Sequence, residues 1–359
     1  MIILKLMLKA RIKRRSKAMN NYILKNENAV YYECGYSCDN VIFIKLGKES
    51  FFITDARYTV EATLEVKTAQ VIESSNLIAK AKEILKKSKI KKIVFDGNDF
   101  TYNTYTNLTA DLKIKFINKV NFSQAKRMIK SEEEIAILMT AAKLGRAGFK
   151  KLAAYIQENG SNKKETFLHF KAIESMSQRG KLELSFDPIV AINKNAAKPH
   201  ALPTSKKLSQ NDLLLVDAGV KYKRYCSDRT CVAAVDFENF NFKREQKFKS
   251  KKHQKIYDIV YKAQLNAINN AKSGMKASEI DNLTRSIIKK AGYEKQYVHS
   301  TGHGVGLDIH EYPFINSKSD VIIEDNMVFT IEPGIYIPGE FGVRIEDTVV
   351  MKNGRAIIL

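Results

Sequence analysis

From Tyr31 to about Asn121, short apolar runs alternate with stretches of helical spacing. VIFIKL (Val41 to Leu46), SFFITD (Ser50 to Asp55) and KKIVFDG (Lys91 to Gly97) have strand length and are rich in β-branched and aromatic residues. The Lys-rich segment from Leu77 to Lys87 reads as a helix between them. Strands and helices alternating in this way predict an α/β domain.

The pattern changes between Met128 and Glu134. IKSEEE sets Ser131 ahead of three acids, and the amphipathic stretch EIAILMTAAKLGRAGFKKLAAYI follows. A serine N-cap with acids at the positive end of a helix marks a start, so a second domain begins here. Within it the spacing predicts helix from Asn162 to Arg179 and a short strand in SFDPIVA (Ser185 to Ala191). Further helices are predicted over about Gln254 to Ala271 and over Ala277 to Ala291, the last ended by Gly292. Phe237 to Lys252 (FENFNFKREQKFKSKK) is polar, basic and aperiodic, which predicts a solvated surface loop. The chain reads as α/β (α+β), with domains over 19–127 and 128–359.

Length and composition fit that division. The 359 residues suffice for two cores, and 44% hydrophobic with 28% charged residues is a globular balance. No uncharged apolar run approaches the roughly 18 residues of a membrane span, so a cytoplasmic protein with no membrane partner is expected. The net charge of +21 comes from 47 lysines and 13 arginines scattered along the chain, which argues against a nucleic-acid patch. Residues 1–18 stand apart, with seven Lys or Arg and no acid. Lys5 and Lys9 interrupt the apolar stretch that a secretory signal needs. A transit peptide and a start placed too far upstream both remain open for this basic extension, which need not be native. Cys34, Cys38, Cys226 and Cys231 lack CxxC spacing and read as reduced structural thiols, with Cys226 and Cys231 on opposite faces of one strand.

The chemistry concentrates in two hairpins and one glycine-rich segment. LLLVDAGV (Leu213 to Val220) and YCSDRTCVAAV (Tyr225 to Val235) flank the turn KYKR. A turn centred on Tyr222 and Lys223 makes paired positions sum to 445 and sets Asp217 opposite Asp228. MVFTIEPGIYI (Met327 to Ile337) and FGVRIEDTVV (Phe341 to Val350) repeat the construction about Gly339, and a paired sum of 678 sets Glu332 opposite Glu346. Like charges facing each other among apolar neighbours destabilise a sheet unless a cation lies between them, and two such pairs point to more than one metal. Between the hairpins, HSTGHGVGLDIHE (His299 to Glu311) holds three of the six histidines, and its glycines let backbone approach a ligand or a neighbouring strand. No phosphate loop, HExxH or GxSxG is present.

These segments, with RMIKSEEEIAIL, LSFDPIVA, KPHALP around His200 and TDARY (Thr54 to Tyr58), resemble the pita-bread metallopeptidases, in particular the proline peptidases aminopeptidase P and prolidase. The resemblance covers nearly all the chain after Met19. It implies a creatinase-like α/β domain followed by a pita-bread catalytic domain, and two divalent metal ions, manganese first, with cobalt, zinc or iron as alternatives. Asp217, Asp228, His303, Glu332 and Glu346 would be the ligands, Asp228 and Glu346 bridging. Glu332 would be the general base for a water activated between the ions, and His310 would stabilise the tetrahedral intermediate or the scissile carbonyl. His200, His299, His310 and Arg344 would bind the substrate, with His200 counted among the catalytic group. Arg344, two residues before Glu346 and on the same strand face, is a fixed cation suited to holding an acid.

The implied reaction is hydrolysis of the bond between an N-terminal residue and proline in a peptide with proline at its second position, by a homodimer. A non-catalytic peptide- or nucleic-acid-binding module on the same fold is the alternative. Two features depart from the family: AINKN (Ala191 to Asn195) replaces its usual run of small residues and glycine before the pocket histidine, and Phe237 to Lys252 is longer than its usual connection.

Overall fold

The computed structural model describes residues 20–359, so the basic extension over 1–18 lies outside the described residues. The chain divides into two compact units at Arg127 and Met128.

In the first unit, β1 (Asn21–Leu24), α1 (Glu27–Cys34), β2 (Val41–Leu46), β3 (Glu49–Thr54), α2 (Thr59–Glu65) and β4 (Gln70–Glu73) are followed by α3 (Leu77–Lys87), β5 (Lys92–Phe95), α4 (Tyr102–Thr109), β6 (Lys115–Asn118) and α5 (Phe122–Lys126). The six strands form one mixed sheet in the order β4-β3-β2-β1-β5-β6. Strand periodicity explains the uninterrupted apolar runs. Leu24, Phe43 and Phe52 pack into a cluster on one face, whereas Ile23, Ile42, Ile44 and Ile53 pack into another, so both faces are covered.

The second unit opens with α6 (Glu132–Asn159), α7 (Glu165–Met176), β7 (Ile189–Ile192) and a 3-10 turn over Asn193–Ala197. It continues with β8 (Leu213–Asp217), β9 (Lys221–Tyr222), β10 (Tyr225–Cys226), β11 (Thr230–Ala234), α8 (Lys251–Asn270) and α9 (Ala277–Lys290). The remaining strands are β12 (Gly302–Gly304), β13 (Glu311–Ile315), β14 (Val328–Ile331), β15 (Gly334–Ile337), β16 (Phe341–Arg344), β17 (Asp347–Lys352) and β18 (Arg355–Ile358). The main sheets run β11-β8-β7 and β13-β12-β14-β17-β18, with β15 paired to β16.

Ser131 starts α6 through a reciprocal capping box: its hydroxyl accepts from Glu134 N at 3.2 Å, and Glu134 Oε2 accepts from Ser131 N at 2.8 Å. Leu214 and Val216 of β8 face a core with Leu152, Ile156 and Leu168, while Leu213 and Leu215 face another with Ile256 and Val260. The central strand is therefore sealed on both sides, and only its end, at Asp217, is left for chemistry.

Several expectations are corrected. The helix predicted over Asn162 to Arg179 is shortened to α7, since Asn162, Gln178 and Arg179 adopt positive φ of 61°, 52° and 62°. In SFDPIVA the strand begins only at Ile189, after Pro188. Phe237 to Lys252 is no solvated loop. Phe240, Phe242 and Phe248 are buried, Gln246 Oε1 accepts from Ala234 N at 2.9 Å, and the last two residues begin α8. Single anchoring phenylalanines follow no period, so a periodicity test misses them. Cys226 and Cys231 lie on different strands, and all four cysteines are free and buried. Among the described residues, no helix is long and apolar enough to cross a membrane.

Candidate metal centre

The second hairpin has the register read from its sequence. Val328 pairs with Val350 and Ile331 with Asp347, then Gly334 with Arg344 and Ile337 with Phe341, each summing to 678. Between these two ladders the strands part, with Glu332 and Glu346 at the opening. Glu332 N donates to Thr301 O at 2.8 Å, and Glu346 N donates to Thr230 O at 3.1 Å. Each acid is thus fixed by a third strand or loop.

The first hairpin differs from the expectation. The turn lies at Lys223 and Arg224, with φ of 47° and 69°, one residue beyond the predicted centre, and paired positions sum to 447. Asp217 therefore faces Thr230, not Asp228. Asp228 follows β10, where the chain can approach closely because Gly219 has no side chain; a Cβ there would stand 1.9 Å from Ser227 O.

His303 sits at the centre of β12. A Cβ on Gly302 would meet Thr330 O at 1.9 Å, so the glycine is what admits strand contact beside the imidazole. His303 Nδ1 lies 3.1 Å from Gly304 O, an acceptor, which makes Nδ1 the donor and directs Nε2 inward. Nε2 is 3.3 Å from Glu332 Oε1 and 3.7 Å from Asp228 Oδ2. Ligand atoms of Asp228, His303 and Glu346, all buried, lie within 4.8 Å of one another.

Arg344 organises the other side. Its Nη2 pairs with Asp217 Oδ2 at 2.7 Å, its Nε donates to Thr230 Oγ1 at 3.0 Å, and Thr230 Oγ1 in turn donates to Glu346 Oε2 at 2.7 Å. Its Nη1 reaches Tyr336 Oη at 2.9 Å and Pro199 O at 3.1 Å. Tyr336 Oη lies 2.9 Å from His299 Nε2, while His299 Nδ1 lies 2.7 Å from Ser300 O. Both nitrogens of His299 are therefore engaged by the protein.

Burial, reinforced by the neighbouring carboxylates, holds Asp228 and Glu346 well above the usual carboxylate range. Burial and Glu332 also raise Asp217, against the pull of Arg344. Glu332 goes the other way: burial opposes ionisation, but the hydrogen bond and charge of His303 outweigh it. Burial likewise disfavours the charged His303, yet Glu332 raises it. Asp228 is crowded by Glu346 and then by Asp217, and Glu346 by Glu332 and Asp217, so the like charges form one cluster rather than two separate pairs.

A cation fits this set. Asp217 Oδ1 and Asp228 Oδ1 are buried with no hydrogen-bond partner, and the donors combine carboxylates with one imidazole, a composition suited to manganese, cobalt, zinc or iron.

A cavity of about 500 Å³ opens over these groups, and all nine residues singled out from the sequence line it: His200, Asp217, Asp228, His299, His303, His310, Glu332, Arg344 and Glu346. His310 is exposed at the rim, its ring 4.3 Å from that of His303, and His200 is also exposed. Partial burial, with His303 and His200 nearby, lowers the His310 pKa.

Sequence reading missed Thr230, Tyr336, and a buried ion pair of Lys130 Nζ with Glu311 Oε1 at 2.7 Å. Glu311 directly follows His310, and its carboxylate lies where a Cβ on Gly306 would be, 2.4 Å from Oε1. Thr230 was within reach, since it lies two residues after Asp228. Nothing local marks Lys130, 181 residues away from its partner.

Comparison with known proteins adds a family. The model of metallopeptidase family M24 matches residues 136–353. The peptidase YqhT of Bacillus subtilis is 34% identical over 348 residues, spanning 95% of this chain and 93% of its own length. The Xaa-Pro dipeptidase of Pyrococcus furiosus is 37% identical over 274 residues, or 76% and 74%. Among solved structures, an Xaa-Pro dipeptidase from Bacillus anthracis has a TM-score of 0.86 at 33% identity, covering 94% of this chain and 92% of that one. The prolidase from Pyrococcus furiosus has a TM-score of 0.82 at 31% identity, covering 96% and 97%.

Proposed function

This chain belongs to metallopeptidase family M24, the pita-bread peptidases, and from that premise we propose that it is a metal-dependent hydrolase of the bond between an N-terminal residue and proline. The observation that carries the reading is the buried convergence of Asp228, His303 and Glu346 on one point, with carboxylate oxygens left unpaired beside it. The relatives that are Xaa-Pro dipeptidases supply the substrate class.

We assign the holding of two divalent ions, manganese first, to Asp217, Asp228, His303, Glu332 and Glu346. Ions bound there would lower the proton affinity of a water and polarise the scissile carbonyl. Glu332 is the proton acceptor. Its Oε1 stands 3.3 Å from His303 Nε2, and that imidazole keeps the carboxylate ionised in the metal-free protein. The same pull weakens it as a base, so proton transfer to it would depend on the acidity that bound ions give the water. His310, neutral at the rim, offers a hydrogen bond to the carbonyl oxygen as it gains charge. His200 holds the proline side of the substrate. His299 and Arg344 shape the same wall through Tyr336 and Pro199, whose carbonyl Arg344 engages. A homodimer in the cytoplasm completes the proposal.

The deciding experiment strips the purified protein with a chelator, returns manganese, cobalt or zinc, and assays X-Pro dipeptides and longer X-Pro peptides against X-Ala controls. Metal-dependent release of the N-terminal residue, restricted to proline at the second position, is expected. Hydrolysis of X-Ala at equal rate, or none with any metal, overturns it. Sedimentation of the same preparation tests the dimer.

A further inference from the structure

The departure AINKN leads to a carboxylate that the mechanism does not use. Glu165, the first residue of α7, is fully buried and accepts four hydrogen bonds from neutral donors. Oε1 takes Ile192 N at 2.6 Å, and Oε2 takes Asn195 Nδ2 at 2.9 Å, Thr204 N at 2.7 Å and Thr204 Oγ1 at 2.5 Å. These donors bracket both ends of the segment 196–203, and that segment includes Pro199, His200, Ala201, Leu202 and Pro203 of the cavity wall. Asn195 Nδ2 adds a bond of 2.9 Å to Leu202 O inside the loop. From the other side Gly342 admits Ala196 O, which would stand 2.0 Å from a Cβ there, and Arg344 grips Pro199 O.

A buried carboxyl group on which four hydrogen bonds converge fixes the positions of its donors in return. We propose that Glu165, with Asn195 and Thr204, is a positioning device for the substrate wall, setting where His200 and Leu202 stand over the metal centre without touching substrate or metal ligands. Asn195 ties the loop to the wall through its side-chain amide, which donates to both Glu165 Oε2 and Leu202 O. The functional part of this inference rests on the X-Pro reading above; the mechanical part does not.

Glu165→Gln keeps the shape but turns an amide N–H₂ toward donors. Thr204→Val is a milder cut that removes one donor and leaves the backbone. Hydrogen exchange of the manganese-loaded protein reads the brace directly. In both variants amides of residues 196–204 are expected to exchange about tenfold faster or more, while those of β14 and β17 keep their protection.

Kinetics read its purpose. For an X-Pro dipeptide, KM is expected to rise about five- to tenfold with kcat within about twofold and metal content unchanged. His200→Ala combined with Glu165→Gln should raise KM less than the product of the single effects, because the brace acts through that residue. Unchanged exchange in both variants overturns the device, as does a kcat loss with KM intact. If the wild type does not cleave X-Pro bonds, the functional reading fails, while the exchange result still decides whether the brace exists. Should Glu165→Gln fail to fold, Thr204→Val carries the same criteria.

Discussion

Two hairpins bring acids to the centre, and they bring them in different electrostatic company. In the first, Asp217 arrives with a resident cation, the buried guanidinium of Arg344 at 2.7 Å, and faces a neutral threonine across the ladder. In the second, the ladder opens at Glu332 and Glu346; Glu332 finds His303, and at Glu346 burial and neighbouring carboxylates outweigh the charge of Arg344 and the hydroxyl of Thr230. Asp228, past the end of the first ladder, shares the exposure of Glu346 to like charge. The requirement for an external cation is therefore uneven: it is greatest at Asp228 and Glu346, whereas Arg344 offsets part of it at Asp217, whose carboxyl is still raised.

The largest expected effect comes from Asp228→Asn. It should lower X-Pro hydrolysis on the order of 10³-fold or more while the metal-free protein melts at the same temperature or higher, since an uncompensated charge is gone. Full activity, or a marked loss of metal-free stability, breaks the comparison. Arg344→Met tests the compensated side. Leaving Asp217 buried without its partner should cost about 3–5 kcal/mol in urea denaturation of the metal-free protein.

The third expectation concerns pH. Asp228 and Glu346 have folded values raised above the unfolded ones, so their contribution is present below about pH 4 and is lost as pH rises through the folded values. His303, also raised, has the same sign around neutrality. Glu332 is lowered, and its contribution fails only in stronger acid. His253, His299 and His310 are lowered and pull the other way over this window. With the raised carboxyls and His303 outweighing them, the metal-free protein is expected to melt lower at pH 7 than at pH 5, with saturating manganese removing the slope; melting curves that rise over this range would speak against it. The smallest effect belongs to the turn. Lys223→Asn with Arg224→Gly suits the observed positive φ values and should add about 0.5–1 kcal/mol without changing activity.

That turn also explains what was legible in the sequence. Gly339, at φ +79°, announces the second reversal, and the register followed correctly from it. Lys223 and Arg224 take the same left-handed region without any residue that favours it, so the first register was misplaced by one turn position. Regular strands such as VIFIKL and the capped start of α6 could be read because the period and the cap are local. The four acids stood out because carboxylates are unusual among apolar strand neighbours and His303 because it sits in a histidine- and glycine-rich segment, whereas His200, His299, His310 and Arg344 took their roles from the family resemblance. Lys130 and Glu165 could not be read in this way, because ordinary residues gain their roles from partners distant in the chain.

The parting of the strands at Glu332 and Glu346 has one last consequence. Since each acid's own amide is tied to a different neighbour, Thr301 for one and Thr230 for the other, the two side chains hang from a junction where separate stretches of chain are knotted together. The cavity wall is completed elsewhere in the chain, by segments 186–189 and 199–203. Wall and junction are thereby separable, and substitutions in those segments can reshape the cavity while the junction is inherited intact.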